Sequence, residues 1–405
     1  MYRFSNAVNS MHSEDIKLLM KQSSGKNLIS FAGGMPNNDL FPVQDIDDIY
    51  NNLPLNLKKL CFQYGPVSGF PPLIESIETY LERKGLIVGK NKIMITTGSL
   101  QAISIITQEF VNPGDHILTE NPCFVGALSV FETYRANIHG IPIDKDGIDI
   151  QALKNTINNL DSKPKFLYVT PNFHNPAGIV YSEKRRKELL EVLSGTGIIL
   201  LEDDAYNDLF FEDKDRHLTK PMKFYKGYDV EIIYTGSFSK ILGPGFRLGY
   251  MLASSEIYDK AQVIKQALDA CTSNFMQILA NEFLAQGKLE PYLKFLRKEY
   301  KERKDILEKS LIEHMPQEVT WNSPKGGFYL WLKFPKEIHS TDIFKKSVAK
   351  GVAFVNGKTF DPASKKDDRL RLSFSNMPKE DIQKGVKILA KVVQEVFDES
   401  RMELA

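Results

Sequence analysis

The sequence predicts an α/β protein with a large domain on a mostly parallel sheet and a smaller α+β domain after it. Three observations lead there. Short apolar runs recur between residues 92 and 237, each followed by a helical pattern. Runs that are apolar at consecutive positions, rather than at alternate ones, mark parallel strands buried on both faces. After Met251 the alternation stops, and at 405 residues the chain exceeds what one hydrophobic core usually organises.

The elements follow in order. "PPLIESIETYLERKG" (71–85) has helical apolar spacing behind two prolines, which suit a first turn because their missing N–H is not needed there. "KIMITTG" (92–98) reads as a strand entering a glycine turn, and "SLQAISIITQEFV" as the helix after it. "DHILTE" (115–120) and "NIHGIPI" (137–143) are strands flanking the helix "FVGALSVFETYR". "KFLYVTP" (165–171), "GIILLEDD" (197–204) and "VEIIYTGS" (230–237) are further buried strands, and the helix "SEKRRKELLEVLSG" ends in Gly195. Strand–helix alternation at this spacing implies crossover connections and parallel pairing. Residues 256–313 are helical in pattern; "GGFYLWLKF", "VAFV" and "RLRLSFS" then read as strands, and a helix closes the chain from Lys379. The expected division is a segment 1–45 packing with the small domain, a large domain 46–290 and a small domain 291–405.

Composition narrows the function. The 52 basic and 51 acidic residues leave a net charge of +1, which gives no field for nucleic acid or an anionic membrane. Cys61, Cys123 and Cys271 lie far apart without CxxC spacing, as reduced thiols of a cytoplasmic protein would, and the seven histidines do not cluster at metal-ligand spacing. The first 22 residues lack the apolar core of a signal peptide, and no apolar run reaches the roughly 20 residues of a membrane span.

In a parallel sheet, ligands gather beyond the carboxyl ends of the strands. Those ends read "TTGSLQA" (96–102), "ENPCF" (120–124), "TPNFHNPAG" (170–178), "LEDDAY" (201–206) and "GSFSK" (236–240). The turn at Gly98, Ser99 and Leu100 offers backbone N–H groups at a helix start. Ser237 and Ser239 offer hydroxyls, and Arg247 a guanidinium fork. Together they suit a phosphate. Neither nucleotide signature survives inspection: "GKT" at 357–359 needs glycine at 352, where Val352 stands, and "GPGFRLG" fails G-x-G-x-x-G. A phosphorylated ligand beside Lys240, with Asp203 at a strand end, fits pyridoxal phosphate: an aldehyde for the lysine, a phosphate for the serines and Arg247, a pyridine nitrogen for Asp203.

Over essentially its whole length the chain resembles the fold-type I, pyridoxal-phosphate-dependent aminotransferases of class I/II, whose large domain carries a mostly parallel seven-stranded sheet. The resemblance of "SFSKILGPGFRLGY" implies Lys240 as the catalytic residue that bonds the cofactor. "TPNFHNPAG" implies that Asn175 binds the phenolic oxygen. "LEDDAY" implies Asp203 for the pyridine nitrogen and Tyr206 for the phenolic oxygen, and "ENPCF" implies Phe124 stacking on the ring. "QYGPVSGFPPL" implies that Tyr64 reaches the phosphate of a neighbouring subunit, hence a homodimer. "RLRLSFS" implies Arg371 for the substrate carboxylate. Spacing favours Asp203 over Asp204 through D-x-x-Y, and Arg371 over Arg369 through R-x-x-F, although the two arginines share a strand face.

"FAGGMPNNDLFP" (31–42) resembles the branch holding 2-aminoadipate, kynurenine and aromatic aminotransferases, in which Gly33 and Gly34 let backbone approach the substrate. The implied substrates are an amino acid, aromatic or 2-aminoadipate-like, and a 2-oxo acid, 2-oxoglutarate. "HSEDIKLLM" has Lys17 where relatives carry an arginine for a distal carboxylate, so a point charge replaces a fork. Leu100 replaces a polar residue of the phosphate turn, and Asn356 a proline. The same residues would also serve a lyase or decarboxylase, or a regulator that binds amino acids without turnover.

Overall fold

The computed structural model describes residues 2–10, 28–363 and 366–404. Its main sheet contains strands β2 (Lys92–Thr96), β3 (His116–Asn121), β4 (Asn137–Asp144), β5 (Gly147–Ile148), β6 (Phe166–Val169), β7 (Ile199–Asp204), β8 (Ile232–Ser237) and β9 (Gly249–Ala253). The order across the sheet is β2-β9-β8-β7-β6-β3-β4-β5. β8, β7, β6, β3 and β4 pair in parallel, while β9 runs antiparallel between β2 and β8. The sequence reading missed β9, because a strand's direction is set by its partners rather than its composition. The sheet has eight strands where seven are expected, the eighth being the two-residue β5 folded back on β4.

The continuous apolar runs have the predicted cause. Phe166 and Tyr168 of β6 and Leu201 of β7 pack on one face, against the helices Ser99–Phe110, Val125–Thr133 and Ser255–Leu268. Leu167, Val169 and Leu200 pack on the other, against the helices Ile150–Asn159 and Glu183–Leu193. With both faces covered, alternation has nowhere polar to point. Burial of each such leucine contributes about 1.5–3 kcal/mol.

A second, antiparallel sheet has the order β10 (Thr320–Trp321), β11 (Tyr329–Lys333), β14 (Arg369–Ser373) and β13 (Val355–Asn356). "VAFV" is not one strand. Val352–Ala353 (β12) pairs in parallel with Ile29–Ser30 (β1), whereas Val355–Asn356 pairs with β14. The chain changes sheets at Phe354, which is fully buried. The helix Lys379–Leu404 follows β14. Among the described residues, no helix is long and apolar enough to cross a membrane.

Candidate active site

Because β2, β3, β6, β7 and β8 run the same way, the five loops leaving their carboxyl ends converge on one cavity of about 370 Å³. Gly33, Gly34, Ser99, Leu100, Phe124, Asn175, Asp203, Tyr206, Ser237, Ser239, Lys240, Arg247 and Arg371 all line it. Tyr64 does not line the cavity; it is 81% exposed, as is neighbouring Phe62 at 78%. Lys17 lies outside the described residues.

Lys240 sits three residues beyond β8, and its amine donates to the Gly34 carbonyl at 2.9 Å. Burial, and then the positive charges of Arg371 and Arg247, pull its pKa down to about 8. No carboxylate of a described residue forms an ion pair with it. Asp203, the fifth residue of β7, is buried. It accepts from the Tyr168 hydroxyl at 2.8 Å and from Thr235 Oγ1 at 2.9 Å. Burial pushes its carboxyl up to about 6 despite those two donors, and the charges of Asp204 and Glu120 add to the push. A cation facing Asp203 would relieve that cost.

The structure separates Asp203 from Asp204. Successive side chains of a strand point to opposite faces, so Asp204 turns away from the cavity. It accepts from Asn172 Nδ2, Asn207 Nδ2 and the Tyr234 hydroxyl at 2.7–2.9 Å, a network that secures the loops behind β7. The two arginines of β14 separate as well. Arg371 is buried, donating to Asn175 Oδ1 at 2.8 Å and to the Ala32 carbonyl at 2.6 Å, while its Nε has no partner among the described residues. Arg369 instead lines a small neighbouring cleft with Asn121, Trp331 and Asp361. A buried guanidinium with an orphaned N–H and no ion pair among the described residues has the charge and a free donor to suit an anion. The Arg371 bond takes the Oδ1 end of the Asn175 amide, so the Nδ2 end is the one left to donate.

The anion end is built from backbone. Gly98 has φ of +78°, in the region that favours glycine, and a Cβ there would lie 3.0 Å from Arg247 Nη2. Gly249 of β9 packs beneath the turn, where a Cβ would come 2.7 Å from Ser99 N. Ser237 Oγ accepts from the Ser239 N–H at 3.2 Å, a bond within the loop that leaves β8. This glycine cradle beside Arg247, the buried Asp203 carboxyl and the lowered Lys240 amine fit the phosphate, the ring nitrogen and the aldehyde of pyridoxal phosphate.

Tyr168, Thr235, Thr170 and Tyr329 were not singled out in the sequence. Thr235 lies directly beside Asp203 in the β7–β8 register, and Tyr168 pairs with Leu201, two residues before Asp203 and on the same face. Only the register reveals such neighbours. Tyr329 enters from the second sheet, and its hydroxyl lies 2.9 Å from that of Tyr206.

Comparison with known proteins agrees with this chemistry. Residues 28–389 match the family model "Aminotransferase class I and II". The chain is 36% identical to aromatic-amino-acid aminotransferase 1 of Thermococcus litoralis over 398 residues, covering 97% of this chain and 94% of that one. It is 30% identical to the 2-aminoadipate transaminase of Thermus thermophilus, covering 96% of each chain. The crystal structure of Pyrococcus horikoshii kynurenine aminotransferase, in complex with PMP, superposes with a TM-score of 0.91 at 36% identity, covering 97% of each chain. The chain therefore belongs to the class I and II aminotransferases, a fold-type I transaminase whose cofactor is pyridoxal phosphate.

Proposed function

We propose that this enzyme moves the amino group of a medium-to-large amino acid, aromatic or 2-aminoadipate-like, to 2-oxoglutarate. The two substrates take turns in one cavity, a ping-pong scheme, within a homodimer. One observation carries the reading: Lys240, Asp203 and Arg371 share a cavity, and among the described residues each lacks the ion partner its burial calls for.

Bound, pyridoxal phosphate supplies an aldehyde for an amine and a ring that takes up the electrons left when the substrate's α-carbon loses a proton. The N–H groups of the Ser99–Leu100 turn, the hydroxyls of Ser237 and Ser239, and Arg247 would hold its phosphate. Asp203 would face the ring nitrogen, Asn175 Nδ2 and the Tyr206 hydroxyl the phenolic oxygen, Phe124 the ring face, and Lys240 the aldehyde. Arg371 fixes the substrate's α-carboxylate as a fork, and so sets which bond at the α-carbon is broken. Lys240 takes the proton from that carbon and returns it, a task suited to an amine that titrates near 8.

Of the described cations lining the cavity, Lys240 and Arg247 have other tasks, and only Arg371 remains for a carboxylate. Donor and acceptor must then use it in turn, which is the physical ground for alternation. Gly33 and Gly34 bring backbone to the substrate, while Met35, Leu100, Val125 and Tyr329 present apolar walls. Those walls, and the aromatic and aminoadipate specificities named for the relatives, support the donor class. The exposure of Tyr64 and Phe62 supports a dimer in which Tyr64 completes the partner's phosphate site. The pairing of β1 with β12 supports a division into domains 46–290 and 291–405, with the N-terminal segment on the small one.

The test is initial-velocity kinetics with phenylalanine, tyrosine, kynurenine, 2-aminoadipate and aspartate against 2-oxoglutarate. Parallel double-reciprocal lines are expected, with an aromatic or aminoadipate donor exceeding aspartate by about tenfold or more in kcat/KM. Intersecting lines would end the ping-pong reading, and aspartate as the best donor would end the substrate reading.

A further inference from the structure

Tyr329 connects groups that the reading above treats separately. Its hydroxyl is 2.9 Å from the Tyr206 hydroxyl, both residues are buried, and the rings meet edge to face with centroids 5.8 Å apart. The Arg371 guanidinium carbon stands 4.4 Å from the centre of the Tyr329 ring. The Tyr329 hydroxyl also fills the space that a Cβ on Gly34 would need, and the Gly34 carbonyl accepts from Lys240. Among the described residues, the charged or titratable groups facing the pair are Arg371 from β14, Lys240 after β8 and Asp203 from β7.

A phenol has one proton. Two phenols in one hydrogen bond share one proton between them, and the other must point elsewhere. If Tyr206 gives its proton to the cofactor's phenolic oxygen, its own oxygen can only accept from Tyr329. Arg371 over the Tyr329 ring favours that direction, because a cation on the ring face draws electron density away from the hydroxyl and makes it the better donor.

We propose that Tyr329 is a positioning residue: it donates to Tyr206, aims the Tyr206 proton at the phenolic oxygen and strengthens it as a donor. This rests on the reading that Tyr206 bonds that oxygen. Hydrogen bonds in a chain polarise one another, so the second phenol acts wholly through the first. Tyr329→Phe keeps the ring and its contact with Arg371; it removes the donor and, with it, the oxygen that packs against Gly34.

The test uses cofactor-loaded wild type, Tyr206→Phe, Tyr329→Phe and the double variant, each titrated with pH while the visible band of the bound cofactor is followed. A donor to the phenolic oxygen stabilises its negative charge and lets the neighbouring proton leave at lower pH. Loss of the donor therefore raises the midpoint. Tyr206→Phe should raise it most, and Tyr329→Phe should raise it by roughly 10–30% of that shift. The double variant should match Tyr206→Phe alone. A Tyr329→Phe titration equal to wild type, or a shift that adds in full to that of Tyr206→Phe, overturns the proposal while leaving the Tyr206 reading intact. A silent Tyr206→Phe removes both.

Discussion

Lys265 and Lys240 are both withdrawn from water, and they are held in opposite ways. Lys265 has a fully buried side chain, and its amine donates to both oxygens of Asp269, to Gln101 Oε1 and to Thr272 Oγ1 at 2.9–3.1 Å. Asp269 in turn accepts from Thr97 Oγ1 and Gln101 Nε2. That network ties the end of the helix Ser255–Leu268 to the back of the Gly98 turn. Lys240 is only half-buried, yet among the described residues its amine has one acceptor, a backbone carbonyl, and two arginines acting on it. Burial lowers the pKa of both, but at Lys265 the charge of Asp269 opposes the fall, whereas at Lys240 Arg371 and Arg247 deepen it. The partner set, not the depth, distinguishes the two lysines, and it suits Lys265 to a structural task and Lys240 to the reactive one proposed for it.

The contrast can be broken at either lysine. Lys240→Met should have the largest effect, lowering turnover by about 10⁴-fold or more while the protein still folds. In the cofactor-free protein the same change should stabilise. The Lys240 pKa of about 8 lies below the unfolded value, so the penalty for its charge is full below pH 8 and is relieved as pH rises towards the ordinary lysine range. The variant's advantage in denaturant melts is up to about 3 kcal/mol at pH 7 and shrinks above pH 8. An advantage that grows with pH would contradict the assignment. Lys265→Met should behave oppositely, costing about 3 kcal/mol of stability by stranding Asp269. Its cofactor-saturated turnover should fall far less than that of Lys240→Met. Equal losses of turnover in the two variants would erase the distinction.

Much of this was legible in the sequence, for physical reasons. The parallel strands announce themselves because both their faces are covered, and the loops at their carboxyl ends carry the chemistry. The antiparallel β9, the change of sheets within "VAFV" and the hairpin strand β5 were not legible, because tertiary pairing decides them. In the site, Lys240, Asp203 and Arg247 stand out by residue type at or after strand ends, Asn175 and Arg371 only through the resemblance of their segments to a family, and spacing favours Asp203 over Asp204 and Arg371 over Arg369. Tyr168, Thr235 and Tyr329 could not be found in the sequence: each reaches a functional residue from another strand, across a register that no local pattern encodes. Lys265 meets Asp269 at i,i+4 spacing on its own helix, whereas Thr272 joins its amine from beyond the bend at Ala270, with φ of +59°.

The central claim is that Lys240, and no other lysine, bonds the cofactor. Borohydride reduction of the cofactor-loaded enzyme makes the carbon–nitrogen linkage permanent, and peptide mass spectrometry then locates it. The account predicts the added mass of the reduced cofactor on the peptide containing Lys240, and none on the peptide containing Lys265. Its appearance on any other lysine, or on none, would contradict the account.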